Sequence, residues 1–395
     1  MPDTLYASLL PRLVAFRRDI HAHPELAFAE HRTAARVADQ LAALGLSVER
    51  GVARTGVVAT LSAGSGADCI ALRADLDALP LAELNAFAHR SRHDGVMHAC
   101  GHDGHTTMLL GAAEVLAAER GFDGTVVFVF QPAEEGEGGG RLMVEEGLFE
   151  RHPARMVFGL HNWPGLPAGD IAVADGPVMA STDRFELTVA GRGGHAAMPH
   201  LAVDVVVAGA ALVQALQTLV SRNCDPLDAA VLSVARFEAG TADNVLPERA
   251  VLAGTVRALD AGVRDAMEAG IARVCAGIET TSGVRIDVRY ARGYPPTVNA
   301  TVATAAARRA AAGVVGPARV HANLKPSMGA EDFSYLAQAV PGCYVWLGNG
   351  TGTTHGAGAG CTLHSPHYDF NDEIIETGIR YWVELVRGCL PAKGA

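Results

Sequence analysis

His98-Ala99-Cys100-Gly101-His102-Asp103-Gly104-His105 places three histidines, a cysteine and an aspartate within eight residues. With 16 histidines in 395 residues, a stretch of that length should hold roughly a third of one. Thiolate and imidazole are the donors that borderline-soft divalent ions prefer. The two glycines remove side-chain bulk where a loop must turn sharply. The apolar, small-residue run 106–118 comes next, so the cluster is expected where a loop enters a helix. A polar loop whose histidines cap that helix is the alternative, but capping takes one such residue and not five.

Ligand-type residues recur after several other apolar runs. Residues 69–72 lead into Asp75-Leu76-Asp77, two acids that suit either a supporting shell around a metal or the cap of the next turn. Residues 125–130 (TVVFVF) read as a buried strand by length and β-branching, ending in Gln131-Pro132-Ala133-Glu134-Glu135-Gly136. Adjacent residues of an extended chain point to opposite sides, so one carboxylate can ligate a metal while its neighbour faces the attacking water. An isolated Glu-Glu pair is more often a solvated turn. Its place at a strand's carboxyl end, where sites in open α/β sheets collect, reverses that preference. Residues 156–160 end in His161-Asn162-Trp163-Pro164, and 344–347 precede a glycine-rich loop and Leu363-His364-Ser365-Pro366-His367. Either His364 or His367 could serve. From His102 through Glu135 and His161 to His364 the separations are 33, 26 and 203 residues. A structural zinc finger keeps its ligands within a few dozen residues, whereas a catalytic site gathers them from across a sheet.

The long gap holds a differently patterned segment. Residues 184–190 alternate as a strand and 202–220 form a long helical run. Strands are expected at 229–237 and 249–257, a helix at 260–280 and a last strand at 284–290. That β-α-β-β-α-β order is the ferredoxin-like unit. The expected architecture is therefore an α/β catalytic domain, 1–180 and 294–395, with a mixed central sheet flanked by helices. It is interrupted by an inserted α+β domain at 181–293. The length favours two domains over one.

Composition limits the classes of function. Hydrophobic residues make up 49% and charged residues 19%, as in a globular protein and far from the disordered regime. A net charge of −11 argues against nucleic acid or an anionic membrane as the main partner. The seven cysteines are scattered and odd in number, unlike a disulfide framework. The N-terminal residues lack a basic segment followed by an apolar one, and no uninterrupted apolar run approaches membrane-spanning length, so a cytoplasmic location is expected.

In order along the chain stand ALRADLDALP, MHACGHDGHTTMLLGAA, VFVFQPAEEG, GLHNWPG, GRGGHAAMPH, PSMGAEDFSYL and LHSPHYDFND. Seven collinear motifs covering nearly the whole chain resemble the amidohydrolase branch of the co-catalytic metallopeptidases, which includes hippurate hydrolases, N-acyl-amino-acid amidohydrolases and auxin-conjugate hydrolases. The resemblance implies a metallopeptidase-type catalytic domain with Cys100, His102, Glu135, His161 and His364 as ligands of two divalent ions per subunit, and it selects His364 over His367. Zinc or manganese is the expected metal, with cobalt or nickel compatible with the same donors. It further implies Glu134 as general base, His195 at the oxyanion, and Asn244, Arg257 and Gly329 at the substrate. His195 would act in the other subunit of a homodimer or homotetramer built through the inserted domain.

A divalent ion lowers the pKa of bound water from about 15.7 towards roughly 7 and polarises a carbonyl, which is what amide hydrolysis needs. The expected activity is cleavage of an N-acyl amino acid, hippurate-like or N-acetyl, into a carboxylate and a free amino acid. A dipeptidase or carboxypeptidase on the same scaffold is the nearest rival, since both cut an amide next to a carboxylate. A non-catalytic metal-binding relative would have no use for an unligated Glu134 beside the metals.

Overall fold

The structure, a computed structural model, describes residues 3–351 and 362–392. Most of the glycine-rich loop expected before Leu363, including Cys361, lies outside the described residues. The chain divides into two compact units: residues 1–176, 298–325 and 332–395 form one, and residues 177–297 with 326–331 form the other. The short segment 326–331 joins the second unit because Ser327 bridges to Met179, while the Ala180 N–H donates to the Ser327 and Gly329 carbonyls.

The larger unit is built on an eight-stranded sheet. Its order is Ser47–Val52, Gly56–Ala63, Gly124–Gln131, Cys69–Asp75, Val157–Pro164, Gly342–Gly350, Ile171–Ala172 and Val320–His321. The four central strands, from Gly124–Gln131 to Gly342–Gly350, run parallel. Gly56–Ala63 and Ser47–Val52 add antiparallel on one side, and Ile171–Ala172 pairs antiparallel on the other. Parallel strands buried on both faces should read as continuous β-branched and aromatic runs, and TVVFVF does. On one face the helices Asp3–Ala22, His102–Glu119 and Ile375–Cys389 pack into a single core with Phe128, Phe158, Val345 and Trp382. The carboxyl ends of the four parallel strands open on one edge, the place where such sheets collect ligands.

The smaller unit is a four-stranded antiparallel sheet in the order Ala230–Ala239, Arg249–Ala258, Asp183–Ala190, Arg285–Arg292. Helices Val205–Thr218 and Ala261–Ser282 alternate with those strands in the chain, giving the ferredoxin-like topology. Alternation sets the faces: Phe185, Leu187 and Val189 meet Leu252, Val256, Leu212 and Ile271 in one core. The first helix starts at Val205, later than the apolar run indicates, because Asp204 accepts from the Val206 and Val207 N–H groups and caps it. Residues Val205–Asn223 are long and apolar enough to cross a membrane, but Val205, Ala208, Leu212 and Leu216 pack into the core of this unit.

Candidate metal centre

The helix of the histidine-rich stretch begins at His102, so His102, Asp103 and His105 stand on its first turn and not in the preceding loop. Gly101 makes that entry feasible. Its φ is +92°, and a Cβ there would lie 2.2 Å from Asn162 Nδ2. Gly104 serves close packing instead of a turn, since a Cβ would lie 2.2 Å from the Phe370 ring.

Hydrogen bonding sorts the three histidines. His105 donates from Nδ1 to Asp75 Oδ1 (2.7 Å) and accepts at Nε2 from the Asn162 N–H (2.9 Å), so both nitrogens are spent. His98 is buried, neither nitrogen has a hydrogen-bond partner among the described residues, and burial pulls its pKa to about 4. It joins no cluster of potential ligands among the described residues. His102 donates from Nδ1 to the Asp77 carbonyl (2.9 Å) and to Asp77 Oδ1 (3.2 Å), which fixes the ring and leaves Nε2 available.

Three sets of potential ligand atoms, each within 4.8 Å, meet here: Cys100, His102 and His161; Cys100, Glu135 and His364; His102, Glu134 and Glu135. Cys100, His102 and Glu135 each appear twice, so the sets form one contiguous site. Cys100 Sγ lies 3.3 Å from His161 Nε2, and His364 Nε2 lies 3.2 Å from Glu135 Oε1. His161 donates from Nδ1 to the Asn162 carbonyl (2.6 Å), so its Nε2 is the nitrogen turned to the cluster. His364 has φ of +65° and its N–H donates to the Ala99 carbonyl (2.8 Å), which draws it to the cysteine loop, whereas His367 joins no set. With its side chain 54% exposed, His364 forms the rim of an otherwise buried site.

Glu134 and Glu135 follow Ala133, whose φ of +55° is strained for a residue with a Cβ. The Ala133 N–H donates to Glu30 Oε1 (2.8 Å), and Glu30 Oε2 accepts from the Thr55 hydroxyl (2.5 Å). The Asp332 N–H donates to Glu134 Oε1 (3.3 Å), while Asp332 itself accepts from Arg73, Gln131 and the Gly140 N–H. The Glu135 N–H donates to Asp77 Oδ2 (2.9 Å), so the one Asp77 carboxylate positions both His102 and Glu135.

The donor set fits a divalent cation. Among the described residues, His102 Nε2 and Glu135 Oε1 are buried and make no hydrogen bond. Burial, then the charges of Glu135 and Glu134, push the Cys100 thiol well above its ordinary range. Burial pulls the His102 imidazole down, but Asp75, Asp77 and Glu135 outweigh it and lift the group to about 10. A cation among these atoms would take the place of both protons. His161 stays neutral because burial, and then His105, lower its pKa.

The residues expected at the substrate lie in the smaller unit. His195 is exposed, pairs across a two-residue ladder with Val245, and accepts at Nδ1 from the Ala197 N–H (3.1 Å). The Ala196 N–H donates to the Asn244 carbonyl (3.1 Å), so His195 and Asn244 are neighbours. Arg257 is half-buried on the sheet face away from the helices, and burial, then the adjacent Arg184, lower its pKa. Gly329 donates its N–H to Ser327 Oγ (3.0 Å).

Sequence reasoning missed Glu30 and Asp332 as residues that hold the Glu134-Glu135 turn. Asp332 stands in the GAEDF motif, which carried no role when read alone. Glu30 gives no local signal, since its partner Ala133 is 103 residues away.

Residues 71–388 match the model of peptidase family M20/M25/M40. The chain is 39% identical to the hippurate hydrolase of Campylobacter jejuni, over 93% of this chain and 94% of that protein. It is 38% identical to an N-acetylcysteine deacetylase of Bacillus subtilis, over 95% and 96% of the two chains. Among solved structures, a dinuclear metal-binding peptidase of the M20 family from Bacillus subtilis superposes with a TM-score of 0.83 at 34% identity, covering 96% of this chain and 98% of that one. The chain belongs to peptidase family M20/M25/M40 and stands among its amidohydrolases.

Proposed function

We propose that this protein hydrolyses the amide bond of N-acyl amino acids with the help of two divalent ions held by Cys100, His102, Glu135, His161 and His364. The single observation that carries this reading is the placement of Glu134. It is a buried carboxylate next to the ligand-type Glu135, oriented by the Asp332 N–H and outside the sets that contain Cys100. The relatives named for hippurate and for N-acetylcysteine support the same class of bond.

When bound, the ions polarise the scissile carbonyl and make water acidic enough to deprotonate near neutral pH. Glu134 accepts the water's proton and passes it to the leaving nitrogen, so one carboxylate serves as base and then acid. Asp77 holds His102 and Glu135 while this happens, and Asn162 fixes the turn at Cys100 by donating from Nδ2 to its carbonyl (2.6 Å). His195 donates to the developing oxyanion, and Arg257 with Asn244 grips the substrate carboxylate, a planar anion that suits a guanidinium. Gly329 is the remaining residue we assign to substrate binding.

Zinc or manganese is the metal we favour: one thiolate and three imidazoles suit zinc, and manganese fits the same ligand count, as do cobalt and nickel. A cytoplasmic location is supported by the free state of the six described cysteines, Cys100 among them. A homodimer or homotetramer is supported by the exposed Val206 and Val207, 39% and 65% accessible, beside the edge strand Ala230–Ala239. In that assembly His195 serves the site of the partner subunit.

The test is a panel of N-acyl amino acids, dipeptides and amino-acid amides, assayed after chelation and after return of zinc, manganese, cobalt or nickel. Hydrolysis of N-acyl amino acids that is lost on chelation and restored by metal supports the reading. Turnover confined to dipeptides would replace it with a dipeptidase.

A further inference from the structure

Arg73 belongs to the ALRADLDALP motif, and no step of the proposed hydrolysis uses it. Its side chain is fully buried. One planar guanidinium reaches three acceptors: Nε donates to Gln131 Oε1 (2.8 Å), one terminal nitrogen to Asp75 Oδ2 (2.7 Å) and the other to Asp332 Oδ1 (3.0 Å). Gln131 closes the arrangement by donating from Nε2 to the same Asp332 oxygen (2.7 Å). Arg73 stands on the strand Cys69–Asp75. One neighbouring strand ends in Gln131 and leads to Glu134-Glu135, and the other carries His161.

A buried arginine between two carboxylates is a poor way to gain stability. Desolvation of three charges offsets most of their attraction, and apolar side chains of similar volume often do as well. What distinguishes these partners is where each of them leads. Asp332 leads to the base, since its N–H donates to Glu134 Oε1 (3.3 Å). Asp75 leads to the ligands: its other oxygen accepts from His105 Nδ1 (2.7 Å), and His105 Nε2 accepts from the Asn162 N–H (2.9 Å), next to His161. We propose that Arg73 is the positioning residue of the general base, clamping Asp332, and through it Glu134, at a fixed distance from the strands that deliver the metal ligands. This rests on the amidohydrolase reading above and adds to it the group that sets where the base stands. The ligands have supports of their own: Asp77 holds His102 and Glu135, the Asn162 carbonyl holds His161, and the Ala99 carbonyl holds His364. Loosening the clamp therefore acts on the base and not on the metal. A lysine ammonium is a compact point charge that cannot serve three acceptors in one plane.

The experiment compares Arg73→Lys and Gln131→Met with the wild type. Lysine keeps the positive charge between Asp75 and Asp332 but loses the fork. Methionine keeps the length of Gln131 and removes no charge, so it serves if the lysine variant fails to fold. The readouts are kcat and KM for N-benzoylglycine and N-acetylglycine, elemental analysis of bound metal, and a crystal structure of each protein. In Arg73→Lys, kcat is expected to fall about 10–100-fold with KM and bound metal unchanged, and Gln131→Met should show the same split with a smaller loss. The variant structures are expected to keep Cys100, His102 and His161 in place while the Asp332 N–H no longer reaches Glu134. An unchanged kcat in both variants, with only lower resistance to denaturant, makes Arg73 structural and overturns the proposal. Metal lost in proportion to activity also overturns it, since the effect then falls on the ligands. If the wild type hydrolyses no N-acyl amino acid, the amidohydrolase reading fails, and the place of Glu134 in the crystal structures still decides the role of Arg73.

Discussion

The two units hold their functional side chains in opposite ways. Around the metal cluster nearly every donor has its second atom fixed: His102 by Asp77, His161 by the Asn162 carbonyl, and the Glu134-Glu135 turn by Glu30, Asp77 and Asp332. In the smaller unit His195 is exposed and its ring accepts from the Ala197 N–H of its own loop, and Arg257 feels the repulsion of Arg184 more than the attraction of Asp183. A site whose parts are pinned by their own unit is preorganised, and its electrostatic cost is met during folding. Groups such as His195 and Arg257 become useful only when something from outside their unit, a substrate or a second copy, reaches them.

The sharpest way to break this contrast is at the paired glutamates. Glu134→Ala should keep both metal ions and lose at least about 10³-fold in kcat, whereas Glu135→Ala should also lose metal. Elemental analysis of the two purified variants checks this, and full occupancy in both would void the assignment of ligand and base.

At His195 an alanine variant should lose about 10²–10³-fold in kcat if the imidazole donates to the oxyanion. If it does so in the partner's site, His195→Ala and Glu134→Ala, unfolded together and refolded, should recover about a quarter of wild-type activity, since half the dimers are mixed and each mixed dimer has one intact site. Mixed dimers with no more activity than the separate variants would return His195 to its own subunit.

A smaller effect belongs to Asp77, which touches no substrate. Asp77→Asn can no longer accept from both His102 and the Glu135 N–H, so metal affinity should drop roughly 10–100-fold. Competition with a chromophoric chelator measures it, and unchanged affinity would mean that the ligands are held well enough without Asp77.

The last effect touches stability alone and concerns the support behind the cluster. His21 is fully buried and donates to Asp103 (2.9 Å) and Glu83 (3.2 Å), while Arg17 also contacts Asp103. Burial pulls the imidazole pKa down, but the hydrogen bonds to Asp103 and Glu83 win and raise it to about 9. The unfolded value is near 6.5, so the folded state binds this proton more tightly. The resulting stability, about 3 kcal/mol at most, is fully present below pH 6.5 and fades as the pH rises through 9. Denaturant titrations at pH 6.5 and 9.5 should show a larger difference for the wild type than for His21→Asn. Equal differences would mean that His21 is neutral in the fold.

Much of this protein was written into local sequence. Residue type and position marked the 98–105 stretch, the Glu134-Glu135 pair and the His161 region as candidates, because metal chemistry demands particular donors and parallel sheets expose their carboxyl ends on one edge, and the family resemblance assigned the ligands and the base among them. Period-two and period-3.6 patterns marked the elements of both units, since each buries one face. The sequence alone could not sort three histidines within eight residues, because which ring nitrogen remains available depends on Asp75, Asp77 and Asn162, which meet them only in the folded sheet. It could not choose between His364 and His367 without the resemblance, since the choice depends on a hydrogen bond to Ala99. Glu30 and Asp332 were silent as well. Their partners are 103 and 198 residues away, and nothing in a residue's neighbours along the chain records which distant backbone N–H it will meet.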